Sequence, residues 1–288
     1  MDGKPVVKEL LQKVGDVEIY CELRGSGPAV VLLPTGHSDC ESFRVVADAL
    51  SEEFTVLSCD TRGSVRCKMP SEWGPVTPEH IADDVAGLIK SLNLAPASVF
   101  GCSSSGQAAL CLGLNHPEVL RNLMIHEPAL THQAPLSGPD LPGGGAFPSM
   151  MPERMKKGLE ASNTGKVDPA WSFRQAVLRQ DLLDKLDPKF FERVLINSKM
   201  WATKYLGTVD ARVYTDEEFE KIGKVPTTFS AGVFHLAVIA EATRVAAEKC
   251  NADFVWMPCM HYPQISIPDE FAEFVRNEIR KNLKTNHN

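Results

Sequence analysis

The sequence predicts an α/β protein with a mostly parallel central sheet flanked by helices and a helical segment inserted late in the chain. Three observations predict it. Short runs rich in Val, Ile, Leu and Phe alternate with stretches of helical periodicity, the rhythm of a parallel sheet covered on both faces. The runs are apolar throughout rather than at every second residue, as in strands buried on both sides. The rhythm then stops between about residue 131 and residue 224, where no clear strand occurs.

In chain order the strands read DVEIYCEL (16–23), AVVLLP (29–34), FTVLSCD (54–60), ASVFGCS (97–103), LRNLMIHEP (120–128), VPTTFSAG (225–232) and DFVWMP (253–258). PEHIADDVAGLIKSLNL (78–94) and DEFAEFVRNEIRKNL (269–283) carry apolar residues at helical spacing and supply covering helices. The break opens on PLSGPDLPGGGAFPSMMPERM, whose prolines and glycines predict a loop or linker. PAWSFRQAVLRQDLLDKLDPKFFERVLINSKMWATKYL (169–206) then reads as helices interrupted near Asp187-Pro188. The expected organisation is a core of residues 1–130 and 225–288 with a helical cap of residues 131–224.

Composition narrows the function. The 288 residues are 43% hydrophobic and 23% charged, an ordinary globular balance large enough for one core with an insertion. Thirty basic against 37 acidic residues give a net charge of −7, and no Lys or Arg run forms a stripe for phosphates, which disfavours nucleic acid. Neither G-x-x-x-x-G-K-[ST] nor G-x-G-x-x-G occurs, so a nucleotide is not expected. The eight cysteines form no C-x-x-C pair and read as buried reduced thiols. No His and carboxylate cluster has metal-ligand spacing, so neither metal nor cofactor is expected. The N-terminus lacks a basic region followed by an apolar core, and no apolar stretch reaches the roughly 18 residues of a spanning helix. These features predict a cytoplasmic protein with no membrane partner; a homodimer is left open.

Open parallel sheets bind ligands at the carboxyl ends of their strands. Here those ends are rich in chemistry: Thr35-Gly36-His37 after VVLLP, Asp60 after VLSC, Cys102-Ser103 after SVFG, His126-Glu127 after LMI, and Cys259-Met260-His261 after FVWMP. A serine, a carboxylate and a histidine at three strand ends, in that chain order, is the nucleophile-elbow arrangement. A hydroxyl is a weak nucleophile at neutral pH, so it needs an imidazole to take its proton and a carboxylate to orient and stabilise that imidazole. Two frames fit GCSSSG: Gly101-x-Ser103-x-Ser105, favoured because it keeps a glycine at the end of the strand, and Cys102-x-Ser104-x-Gly106. His261 is the expected base, ahead of His37, His235 and the helical or tail histidines His80, His116, His132 and His287; His126 reads as a packing residue. An oxyanion needs backbone N–H groups, for which Ser104 and the Thr35-Gly36-His37 loop, with Gly36 the foremost candidate, are placed.

Together these motifs resemble the α/β-hydrolase family, and Pro117, fourteen residues beyond Ser103, matches the usual end of its elbow helix. In many members the acid follows the seventh strand, but here FSAGVFHLAVIAEATR has no carboxylate before Glu241, so the acid falls to Glu127 after the sixth. GCSS (101–104), HE (126–127), MPCMHYP (257–263) and MWATKYLGTV (200–209) are similar to one branch, the fungal zearalenone hydrolases, which open a macrocyclic resorcylic lactone. That resemblance implies the triad Ser103, His261 and Glu127 and a cap tryptophan, Trp201, over the substrate ring. Met200 and Tyr205 beside it, with Thr35 and His37 of the facing loop, complete the expected substrate contacts; Trp171, Met150 and Met151 are further apolar candidates. Ser105 in place of the branch's glycine, Thr35 in place of an Asp, and Val65 and Cys67 in DTRGSVRCKMP depart from the pattern. The implied activity is cofactor-free hydrolysis of a bulky apolar ester or lactone. The alternatives are a general carboxylesterase, a carbon–carbon bond hydrolase, or a ligand-binding protein on the same fold with little turnover.

Overall fold

In the computed structural model, residues 5–130, 177, 180–184, 186–205, 207–209 and 212–284 are described. Trp171, Met150, Met151 and all of the predicted loop and cap between 131 and 176 lie outside them.

Eight strands form one sheet: β1 (Lys8–Val14), β2 (Val17–Arg24), β3 (Ala29–Leu33), β4 (Thr55–Cys59), β5 (Ala97–Cys102), β6 (Leu120–His126), β7 (Thr227–Gly232) and β8 (Asp253–Met257). Their spatial order is β1-β2-β4-β3-β5-β6-β7-β8. The pairs β1/β2 and β2/β4 are antiparallel and the other five are parallel. The seven strands read from the sequence are all present. β1 was not read: KELLQKV is mostly exposed at the sheet edge, and its mixed polar and apolar pattern carries no buried-strand signature.

The apolar strands β3, β5 and β7 are buried on both faces, as expected; β8 is not, because it is the outermost strand of the sheet and leaves Val255 and Trp256 exposed. Val31, Leu33, Val99, Ile125 and Phe229 face one core with α2 (Pro78–Ser91), α3 (Ser104–Asn115) and α7 (Ala237–Lys249). Their neighbours Val30, Leu32, Phe100 and Met124 face the other with α1 (Arg44–Leu50) and α9 (Pro268–Lys284). Phe100 stands edge-on between Phe43 and Phe271, with ring centroids 5.9 and 4.7 Å away.

Between β6 and β7 the chain forms α4 (Gln180–Leu183), α5 (Pro188–Lys204) and α6 (Asp216–Ile222). The break expected at Asp187-Pro188 is the start of α5: the Asp187 carboxylate accepts the Lys189 N–H at 2.8 Å, and Pro188 occupies the first turn. Phe190, Val194, Asn197, Ser198 and Trp201 share its buried face. A short α8 (Pro263–Ser266) precedes α9. Among the described residues no helix is long and apolar enough to cross a membrane.

Candidate active site

The parallel register brings the chemical residues to one edge. Cys102 pairs with His126, His126 with Ser230, and Gly232 with Met257, so the residues following β5, β6, β7 and β8 emerge side by side, roughly 5 Å per strand.

Ser103 occupies the turn between β5 and α3 with φ 59° and ψ −120°, and Glu127 follows β6 with φ 43°. Left-handed backbone at a non-glycine residue costs of order 1–3 kcal/mol and persists only when its surroundings hold it. Here they do. The Ser103 N–H donates to the His126 carbonyl at 3.1 Å, its carbonyl accepts from Gln107 and Ala129, and the Glu127 N–H donates to Ser230 at 3.0 Å. Sterics explain the small residues. A Cβ on Gly101 would stand 2.3 Å from the Ser105 carbonyl oxygen. Ser105, which replaces the pattern's glycine, donates its hydroxyl to the Pro34 carbonyl and so ties the turn to the loop after β3.

Glu127 and His261 meet directly. His261 Nδ1 lies 2.6 Å from Glu127 Oε2 in a hydrogen bond, and Glu127 Oε1 accepts the Gly232 N–H at 2.9 Å. Cys102 Sγ donates to the His261 carbonyl at 3.3 Å, fixing that loop from β5. Burial pushes the Glu127 carboxyl up, but its contacts with His235 and His261 outweigh this and hold it well below the usual carboxylate range. His126 is fully buried, with Nδ1 2.9 Å from Ser230 Oγ; burial brings its pKa down to about 4, which leaves it neutral.

Sequence reasoning set His235 aside, yet its Nδ1 is 2.7 Å from the same Glu127 Oε2 and its ring stacks on His261, centroids 4.6 Å apart and 23° between planes. The ring is turned so that this nitrogen makes no hydrogen bond despite the distance. The adjacency of β6 and β7 was the signal for it: any residue just beyond β7 can reach Glu127. The sequence likewise shows no ligand-spaced metal cluster, but the fold assembles one, since a ligand atom from each of Glu127, His235 and His261 lies within 4.8 Å of the others.

The loop after β3 faces this group from below α5. Gly36 is in contact with Trp201: a Cβ there would come within 2.0 Å of the indole Cδ1 and 2.7 Å of Nε1. The Gly36 N–H donates to Ser104 Oγ at 2.8 Å. The amide expected to face an oxyanion is thus engaged by the second serine, whose own side chain is buried. His37 lies against Trp201, ring centroids 4.3 Å apart and planes tilted by 36°, and has Nδ1 3.3 Å from Ser198 Oγ; burial, then the nearby His261, lower its pKa to about 4. Thr35 Oγ1 donates to the Tyr262 hydroxyl at 3.3 Å. Met200 packs its sulfur with Trp73 over Gly63. Tyr205 is wholly buried and donates its hydroxyl to the Arg62 carbonyl at 2.7 Å, anchoring the end of α5 to the turn after β4 rather than lining the loop after β3.

A charged latch, unread in the sequence, holds this loop to α5. Arg193 pairs with the buried Asp39, which also lies 3.3 Å from Arg66. Arg66 in turn pairs with Asp60 at 2.7 Å. Asn197 Oδ1 accepts the Val65 N–H at 2.9 Å.

A hydroxyl at a helix N-terminus and a carboxylate-paired imidazole at the same edge of one sheet are groups that can carry out acyl transfer. Residues 28–265 match the alpha/beta hydrolase fold. Zearalenone hydrolase of Cladophialophora bantiana is 29% identical over 278 residues, 95% of this chain and 97% of that protein. Zearalenone hydrolase of Bionectria ochroleuca is 26% identical over 269 residues, 92% and 94% of the two. Among solved structures, a thermophilic esterase from Thermogutta terrifontis has a TM-score of 0.72 at 20% identity, covering 97% of this chain and 99% of that one. The enol-lactonase from Burkholderia xenovorans LB400 has a TM-score of 0.65 at 21% identity, covering 93% and 98%.

Proposed function

The chain belongs to the alpha/beta hydrolase fold family, a hydrolase fold, and from that premise we propose that it opens the ester bond of a bulky apolar lactone of the zearalenone type. The observation that carries the chemistry is the 2.6 Å hydrogen bond between His261 Nδ1 and Glu127 Oε2, with Ser103 on the neighbouring strand end. The similarity over nearly the whole chain to two zearalenone hydrolases supports the substrate class.

In this reading Ser103 Oγ attacks the lactone carbonyl as His261 Nε2 takes its proton. Glu127 keeps the other imidazole proton on Nδ1 and stabilises the imidazolium. The Ser104 amide at the start of α3 stabilises the oxyanion, joined by the Gly36 amide as it leaves Ser104 Oγ for the stronger charge. The ring oxygen leaves with the proton from His261. Water, activated by the same imidazole, then releases the acid and restores Ser103. Helices α4 to α6 act as part of a cap, with Trp201 of α5 and His37 of the loop after β3 as an aromatic wall for the substrate ring.

The test is a mass-spectrometric time course with zearalenone, wild type beside Ser103→Ala. Repeated conversion to a product one water heavier, lost in the variant, is expected. Conversion by Ser103→Ala at the wild-type rate would refute the nucleophile, and no conversion by the wild type would remove the lactone assignment.

A further inference from the structure

Glu127 is faced by more imidazoles than hydrolysis needs. Its Oε2 lies 2.6 Å from His261 Nδ1 and 2.7 Å from His235 Nδ1, with His126 Nε2 at 3.7 Å, beyond hydrogen bonding. The His235 nitrogen is buried and makes no hydrogen bond. At 2.7 Å from Oε2 it is in ion-pair contact without hydrogen-bond geometry, and nothing in the proposed proton transfer requires a second imidazole there. The loop that holds it is otherwise turned outward, with Val233, Phe234 and Leu236 exposed.

We infer that Glu127, His235 and His261 form a binding site for a divalent transition-metal cation of the zinc class, and that its occupation shuts off hydrolysis. The three ligand atoms lie within 4.8 Å of one another. Two imidazole nitrogens and one carboxylate oxygen suit Zn²⁺, Co²⁺ or Ni²⁺, whereas Mg²⁺ and Ca²⁺ prefer oxygen. Tetrahedral zinc at its usual bond lengths sets neighbouring ligands about 3.3 Å apart, so both rings must draw back from Oε2 by about 0.6 Å. His235 has no hydrogen bond to break in doing so. Its ring and that of His261 are each about a tenth exposed, which leaves a route for the ion and for a water in the fourth position.

The inhibition follows from proton placement and rests on the Ser103, His261 and Glu127 reading. Metal on His261 Nδ1 displaces the proton now shared with Glu127. A neutral ring bound this way carries its one proton on Nε2, so that nitrogen has no lone pair to accept the Ser103 proton. No bond other than metal–ligand bonds forms, and no electron is transferred.

The experiment adds Co²⁺ and Zn²⁺ separately to the purified full chain. It reads visible Co²⁺ ligand-field absorption, Zn²⁺ binding by calorimetry, and zearalenone turnover with and without EDTA. One tetrahedral Co²⁺ per chain is expected, with turnover abolished at saturating Zn²⁺ and restored by EDTA. His235→Phe keeps the stacked ring but removes the donor, and His235→Gln is the second variant should the first fail to fold. In either, Zn²⁺ affinity falls by more than the roughly 10–100-fold that outer-shell partners of a metal are worth. Unchanged Zn²⁺ affinity in a folded His235 variant, or no Co²⁺ absorption, would overturn the site. Metal binding that depends on His235 but leaves turnover intact would overturn the inhibition. Such binding in a protein that never converts zearalenone would support the site and remove the lactone reading instead.

Discussion

The indole of Trp201 stands where a side chain at position 36 would have to go: a Cβ on Gly36 would lie 2.0 Å from its Cδ1. Gly36→Ala therefore forces Trp201 off its present position. The expected result is about 2 kcal/mol of destabilisation, typical of overpacking, and a changed tryptophan fluorescence. Gly36→Ala combined with Trp201→Ala should recover most of the stability lost to crowding. A Gly36→Ala protein with wild-type melting and fluorescence would show that the contact is not tight.

The two serine frames separate on one contact. Ser104 Oγ accepts the Gly36 N–H at 2.8 Å, while Ser103 sits at the strained turn. Ser103→Ala is expected to lower kcat by at least about 10³-fold, the scale seen when a nucleophile is removed. Ser104→Ala should cost no more than about tenfold, because it removes a hydrogen bond to a loop amide. Single-turnover kinetics on both variants would check this; the reverse ranking would make Ser104 the nucleophile.

Arg193 joins α5 to the loop after β3 through the buried Asp39. Burial and the neighbouring Asp60 raise the Asp39 pKa, while Arg66 and Arg193 oppose the rise. Arg193→Ala leaves Arg66 as the nearest cation, at 3.3 Å. It should destabilise the protein by about 1–3 kcal/mol and raise KM for a bulky lactone. Denaturant unfolding and steady-state kinetics test both effects. Unchanged stability would mean that the pair is solvated.

Tyr205 was expected at the substrate from sequence, but its hydroxyl is given to the Arg62 carbonyl inside the core. Tyr205→Phe should lose about 1 kcal/mol of stability and leave KM unchanged. A KM raised tenfold would return Tyr205 to the substrate.

His126 sets an acid limit on stability. Burial lowers its folded pKa to about 4, against an ordinary value of 6.5. The unfolded chain therefore binds a proton that the folded one refuses between those values. The stability this group contributes is complete above pH 6.5 and is lost as pH falls toward 4, about 3 kcal/mol in all. Chemical denaturation across pH 4 to 7 should show wild-type stability falling more steeply than that of His126→Gln. Parallel curves would contradict the assignment.

The sequence by itself determined the sheet and the residues at its strand ends. The apolar run AVVLL is buried on both faces, and the serine between small residues after ASVFGC lies at a tight strand-to-helix turn, whereas the equally apolar DFVWM stays largely exposed because it ends the sheet. The sequence also supplied Ser103, Glu127 and His261 as candidates. β1 escaped because an exposed edge strand needs no apolar pattern. Tertiary structure alone decided which groups touch. His235 approaches Glu127 because β7 lies beside β6, and Arg193 reaches Asp39 because α5 folds across the loop after β3. The Gly36 amide meets Ser104 rather than open space for the same reason. Periodicity reports how a residue is buried along its own element. Contacts between distant elements depend on strand order and on where an insertion packs, and neither leaves a local pattern in the chain.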